Sequence, residues 1–111
     1  MNDVTNSVRI AGNVVKDPKF INDEKNNFKV LNFTIVTVRQ YIRDGRFAND
    51  KSFHKITLRG KIAEEYKNSI KKSMGVDVVG YLRNRNVVKG ENRYPITEVA
   101  VDETYGNICL L

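Results

Sequence analysis

Residues 52–75 read Ser52-Phe53-His54-Lys55-Ile56-Thr57-Leu58-Arg59-Gly60-Lys61-Ile62-Ala63-Glu64-Glu65-Tyr66-Lys67-Asn68-Ser69-Ile70-Lys71-Lys72-Ser73-Met74-Gly75, and the hydrophobic period changes once within them. From Ser52 to Arg59, His54, Ile56 and Leu58 alternate with Phe53, Lys55, Thr57 and Arg59. That is the period of a strand with one buried face. After Gly60 the spacing becomes four. Ile62, Tyr66 and Ile70 line up with Ala63 beside them, while Glu64, Glu65, Lys67, Asn68, Lys71 and Lys72 are polar. A short amphipathic helix over 61–73 is expected. Its acids come early and its lysines late, which suits the helix dipole, and Gly75 is its expected C-terminal stop.

Upstream, Val4 to Val15 alternates, with Val8, Ile10, Gly12 and Val14 on one face and Ser7, Arg9, Ala11 and Asn13 on the other. Asp17-Pro18 ends that strand, because proline donates no ladder bond and aspartate favours turns. Asn22 to Asn27 is polar and reads as a loop. Phe28 to Val38 is a second strand: Leu31, Phe33 and Ile35 alternate, then Val36 and Val38 take the opposite parity. Such a change of phase predicts a bulge or bend, as small barrels require. Asp44-Gly45 is a hairpin turn signal. Downstream, Val76 to Val88 and Arg93 to Val101 form a hairpin around Lys89-Gly90-Glu91-Asn92. The order is that of an all-β, five-stranded OB-fold Greek-key barrel with one short helix between strands three and four. A split mixed α+β sheet is the alternative that pattern alone leaves open. At 111 residues, one domain spanning 1–111 is expected.

Apolar runs stop at three or four residues, and the first twenty residues hold no apolar signal core, so neither a transmembrane helix nor a signal peptide is expected. One cysteine and one histidine make no disulfide and no zinc set, which points to a reducing, intracellular setting. Cys109, among Ile108, Leu110 and Leu111, reads as a packed or fraying thiol, and His54 as a structural histidine. Asp23-Glu24 and Asp102-Glu103 are adjacent rather than convergent acids, and no phosphate-cradling glycine loop occurs, so no catalytic residue, metal, cofactor or enzyme activity is expected. The net charge is +6, and two segments carry the excess. Residues 39–61 are net +5 and contain Tyr41, Phe47 and Phe53; residues 81–94 are net +3 and contain Tyr81 and Tyr94. Cations track a phosphate backbone and aromatic faces stack on unpaired bases. Solvated strands account for the charge equally well on this pattern alone. Phe53 shares its parity with Lys55 and Arg59, an odd place for a phenylalanine unless it stacks. Phe20 and Phe28 flank the polar loop and read as packing residues.

Several blocks, in order, resemble the bacterial single-stranded DNA-binding proteins. They are Ser7-Val8-Arg9-Ile10-Ala11-Gly12-Asn13-Val14 with Lys16-Asp17-Pro18; Asn32-Phe33-Thr34-Ile35; Phe53 through Glu64; Gly80-Tyr81-Leu82-Arg83-Asn84-Arg85; and Arg93-Tyr94 with Thr97-Glu98-Val99. The resemblance covers about residues 6–101 and implies an OB-fold that holds single-stranded DNA in replication, recombination and repair, by stacking and by phosphate contacts. Tyr41 and Phe53 lie where that family stacks aromatics. Arg59 lies where it often has a stacking phenylalanine, and Val87 near a common tryptophan, a residue this chain lacks altogether. A guanidinium can stack and also meet phosphate; a valine cannot replace an indole. The expected stacking set is therefore Tyr41, Phe53 and Arg59, and the expected phosphate set Arg39, Arg43, Lys55, Arg83 and Arg85.

The resemblance also implies a homo-oligomer, a tetramer first and a dimer as the alternative, in the cytoplasm with the nucleoid. The family usually ends in a long tail with an acidic tip that recruits partners. This chain ends Asn107-Ile108-Cys109-Leu110-Leu111, so a tailless or truncated variant without that recruitment is expected. The alternative function is a primosomal OB-fold protein that helps load a replicative helicase, whose third strand also pairs Phe-His. A cold-shock-like RNA binder is third.

Overall fold

Alternation of Val8, Ile10 and Val14 with Arg9, Ala11 and Asn13 produces β1 (Val8–Val14), whose first face packs toward the core. The structure, a computed structural model, describes residues 5–111; Val4, where the alternation begins, lies outside them. After β1 come β2 (Lys19–Asp23), β3 (Phe28–Arg43), β4 (Arg46–Arg59), α1 (Lys61–Tyr66), β5 (Gly75–Lys89), β6 (Asn92–Val101) and β7 (Asn107–Leu110). Five strands close a barrel in the order β1-β3-β4-β6-β5, with β5 returning to β1. Every pairing in the ring is antiparallel except β4 with β6. Leu31, Ile35, Ile56, Leu58, Ile70, Val76, Val78 and Val101 are fully buried at its centre. The barrel closes tightly where Gly12 of β1 passes β3: a Cβ there would run into the carbonyl oxygen of Val36. Only glycine permits that approach.

This is the expected barrel with one short helix, here between β4 and β5, and two further strands. Asp17-Pro18 does end β1, but the chain resumes as β2 and folds back on β3, pairing Lys19 with Asn32 and Asp23 with Phe28. The polar loop shrinks to a turn in which the Asp23 carboxylate accepts from Asn26 and Asn27 takes φ 52. β7 adds to the free edge of β5. It buries Ile108 and leaves Cys109 exposed, which corrects the packed reading of that thiol.

The helix is also shorter than its spacing implies. It stops at Tyr66, and a turn through Asn68 and Ser69, both weak helix formers, carries Ile70 into the core. Gly75 opens β5 rather than capping the helix; Ser73 holds the left-handed conformation instead, at φ 76. The Lys72 amide donates to Asp17 Oδ1 at 2.8 Å, which ties this segment to the end of β1.

No bulge interrupts β3 against β4. Their register runs unbroken from Val30 opposite Arg59 to Arg43 opposite Arg46. The phase change of Val36 and Val38 has another cause. Val36 is the last residue of β3 to pair with β1, and beyond it β3 and β4 continue alone as a two-stranded arm. The arm closes on Asp44 at φ 52 and Gly45 at φ 75, the paired left-handed residues of a type I′ turn. It helps stretch the molecule to 57 Å along its long axis. Because no core lies above the arm, its apolar residues are exposed, Val38, Ile42 and Phe47 among them.

Candidate nucleic-acid interface

In an antiparallel pair, residues opposite one another share a face. Leu31, Phe33 and Ile35 of β3, opposite Leu58, Ile56 and His54 of β4, therefore point inward. Val30, Asn32 and Thr34, opposite Arg59, Thr57 and Lys55, point outward. The outer face extends across β6 and β5, where Glu98 lies opposite Arg83 and where Arg85 follows on the same side. Two adjoining depressions form there. One is lined by Phe28, Thr57, Arg59, Arg83, Arg85 and Glu98; the other by Lys16, Lys19, Thr34, Lys55, Arg85 and Glu98. Cations outnumber acids in both, so the groove attracts polyanions.

Arg59 lies with its guanidinium carbon 5.4 Å from the ring centre of Phe28. Phe28 is 40% exposed, so the pair presents a flat cation-aromatic surface to solvent. This corrects the reading of Phe28 as a packing residue, whereas Phe20 does pack against the core. At the groove floor, Glu98 accepts from Arg83 Nη1 at 2.8 Å and from Arg85 Nε at 3.1 Å. Near Arg59, the Tyr81 hydroxyl donates to Asp102 Oδ2 at 2.6 Å. That bond is the main reason the Tyr81 phenol is raised above its ordinary pKa and the Asp102 carboxyl lowered below its own. Backbone amides of Tyr105 and Thr104 lower Asp102 further, and Arg59 lowers both groups.

The unbroken β3/β4 register carries the outer face onto the arm. Phe53 is opposite Val36, Lys51 opposite Val38 and Phe47 opposite Ile42, all on the parity of Lys55 and Arg59. Phe53 is 64% exposed and Phe47 74%. Tyr41 has the other parity. It shares the opposite face of the arm with Arg39 and Arg43, and the Arg39 guanidinium carbon lies 5.6 Å from its ring centre. The expected residues thus fall into two groups: Phe53, Lys55, Arg59, Arg83 and Arg85 on the groove side, and Arg39, Tyr41 and Arg43 on the reverse of the arm. His54 is on the inward parity, with Nε2 2.9 Å from Thr37 Oγ1. Val87 is on the groove-side parity of β5, directly opposite Tyr94. Among the described residues, no three His, Cys, Asp or Glu side chains gather to hold a metal ion.

The profile of the single-strand binding protein family matches residues 5–106. The chain belongs to that family. The assignment favours the single-stranded DNA-binding resemblance over the primosomal alternative. Among curated relatives, Single-stranded DNA-binding protein 2 of Chlorobaculum tepidum is 35% identical over 82 residues, which are 72% of this chain. The chain spans only 55% of that relative's length. Single-stranded DNA-binding protein 1 of Clostridium acetobutylicum is 33% identical over 100 residues, 88% of this chain and 89% of the relative. The fold is similar to that in a Plasmodium falciparum SSB complex with ssDNA, with TM-score 0.85 at 21% identity over 100% of this chain and 99% of the other. A deletion mutant of the Thermus aquaticus single-stranded DNA binding protein gives TM-score 0.81 at 19% identity, over 96% of this chain and 50% of that one.

Three groove-side features escape a reading of family members by sequence blocks alone. Phe28 has the parity of Asn32 and Thr34, so extending the alternation back along β3 identifies it as outward. Phe47 follows from counting two by two from Lys55 through Phe53. Lys16 and Lys19 carry no such signal: Lys16 follows the end of β1, and Lys19 opens the unforeseen β2, opposite Asn32.

Proposed function

We propose that this chain binds single-stranded DNA without sequence preference along the outer face of β3, β4, β6 and β5 and onward over one face of the arm. The observation that carries the reading is one continuous parity. Phe28 with Arg59, then Lys55, Phe53 and Phe47, line up along a single uninterrupted register and alternate flat apolar surface with cations. Unpaired bases stack on the rings while the backbone meets Lys16, Lys19, Lys55, Arg83 and Arg85. A duplex hides the base faces and meets only the charge. The arm's reverse, with Arg39, Tyr41 and Arg43, offers a second, more basic track for a strand that wraps over the arm tip.

The role is binding and protection of exposed strands in replication, recombination and repair, rather than catalysis. A cytoplasmic, nucleoid-associated location goes with it, and no helix among the described residues is long and apolar enough to cross a membrane. A homotetramer is the assembly that suits wrapping, with a dimer as the smaller alternative; light scattering on the purified chain distinguishes them. The deciding experiment is fluorescence anisotropy with labelled oligo-dT and a duplex of equal length. Much tighter binding of oligo-dT, lost in Phe28→Ala and Phe53→Ala, supports the reading. Equal affinity for strand and duplex leaves a basic patch and no stacking path.

A further inference from the structure

Glu98 is out of place in a groove that attracts phosphate. It is 3% exposed, it lines both groove depressions, and it also lines the opening between β4 and β6 beside Phe53. A carboxylate there loses its hydration and repels an incoming phosphate, so its presence calls for a compensating role. Both its oxygens are engaged, each by a different arginine of the same strand. Arg83 and Arg85 stay partly open to solvent, at 33% and 41% side-chain exposure.

We propose that Glu98 is a positioning residue, which fixes the guanidinium groups of Arg83 and Arg85 in the orientation that receives backbone phosphates. A guanidinium has five N–H donors in a rigid fork. Arg83 directs only an Nη1 hydrogen, and Arg85 only its Nε hydrogen, toward the carboxylate. Among the described residues the other donors of each fork have no partner, and they can meet an anion on the solvent side. Arginine side chains have many rotamers, and ordering them opposes binding unless they are ordered beforehand. One buried acid ordering two arginines supplies that preorganisation, and the pair of cations still outweighs it by one charge. The inference deepens the reading of the groove as a DNA path and rests on it.

Glu98→Gln tests the proposal because two explanations give it opposite signs. The substitution removes a negative charge from the groove. If charge alone mattered, oligo-dT would bind more tightly and the fall of log K with log salt would steepen by roughly 0.7. Glutamine, however, has a single acceptor oxygen and an NH2 that cannot accept, so it holds one arginine and releases the other. Positioning therefore predicts binding weaker by about 3- to 10-fold, with a shallower salt slope despite the added positive charge. In an Arg83→Ala/Arg85→Ala background the same substitution should no longer weaken binding. Affinities are scaled to the folded fraction from thermal melts. Should Glu98→Gln not fold, Glu98→Asp carries the test, since it keeps the charge but shortens the reach by one methylene; weaker binding at unchanged charge is expected. Wild-type or tighter binding by the folded variant, or equal weakening in the Arg83→Ala/Arg85→Ala background, overturns the proposal. Phe28→Ala and Lys55→Ala are titrated alongside. If they weaken binding and the Glu98 variant does not, this proposal alone fails; if they do not, the groove reading fails first.

Discussion

Truncation of Phe53 to alanine separates a binding residue from a packing residue by magnitude. The ring is 64% exposed, so only about a third of the apolar surface it exposes in the unfolded chain is buried. Full burial of a phenylalanine is worth about 1.5–3 kcal/mol, and a third of that is roughly 0.5–1 kcal/mol. In a domain of this size, that lowers the melting temperature by only about 2–8 °C. If a base stacks on the ring, binding falls by about 1–3 kcal/mol, which is about 5- to 150-fold in Kd. The salt slope should not move, because stacking releases no counterions. The assay is oligo-dT anisotropy at several salt concentrations on protein checked by thermal melt, with Tyr41→Ala, on the other face of the arm, measured in parallel. The loss from Phe53→Ala should persist undiminished at high salt. An unchanged affinity per folded molecule, combined with a melting temperature lowered by far more than about 8 °C, would refute the assignment of Phe53 to the binding face.

Arg59→Phe should flatten the salt slope by roughly 0.7 while affinity at high salt holds or rises, because a phosphate contact is exchanged for a second ring beside Phe28. A simple loss at every salt concentration would show that Arg59 contributes charge and nothing else. Val87→Trp places an indole opposite Tyr94 on the groove-side face of β5, so its fluorescence should be quenched on adding oligo-dT, in a chain with no other tryptophan; unchanged emission at saturation excludes that hairpin from the path. The Tyr81–Asp102 bond needs a neutral phenol and an ionised carboxylate. The lowered Asp102 stabilises the fold above the ordinary aspartate value, about 3.9, and that contribution is lost as pH falls through its folded value. The raised Tyr81 stabilises it below the ordinary tyrosine value, about 10, and that contribution is lost as pH rises through its folded value. Thermal melts of wild type and Tyr81→Phe should therefore differ by a constant amount between about pH 5 and 9 and converge outside it; a constant difference throughout would rule the bond out as the cause.

The barrel was legible because its core residues obey their periods. Leu31, Phe33, Ile35, Ile56 and Leu58 alternate and are buried, and Ile62, Tyr66 and Ile70 all reach the core. What could not be read came from contacts remote in sequence. β2 is a polar strand, Lys19-Phe20-Ile21-Asn22-Asp23, that exists because β3 offers it a ladder, and its composition resembles a loop. β7 likewise exists because β5 has a free edge. The phase change at Val36 was a real signal of a structural event, but alternation cannot distinguish a bulge from the end of the neighbouring strand. At the site, the cations were easy to find and their partners were not. Counting across the hairpin around Lys89-Gly90-Glu91-Asn92 brings Glu98 opposite Arg83, but nothing in the sequence says that its two oxygens engage both Arg83 and Arg85.

A single ribbon serves both the barrel and the arm, and this constrains how the molecule can vary. Outward placement of Phe53 and Phe47 is dictated by the phase of Ile56 and Leu58, which are locked in the core. Deleting one residue from the arm portion of β4 would rotate everything beyond it by one face and exchange the Phe47 set for the Ala48 set. Matched additions of two residues to each strand preserve the phase and lengthen the arm by about 7 Å a step. Arm length is thus adjustable in quanta, by matched steps of two residues in each strand, with the barrel untouched.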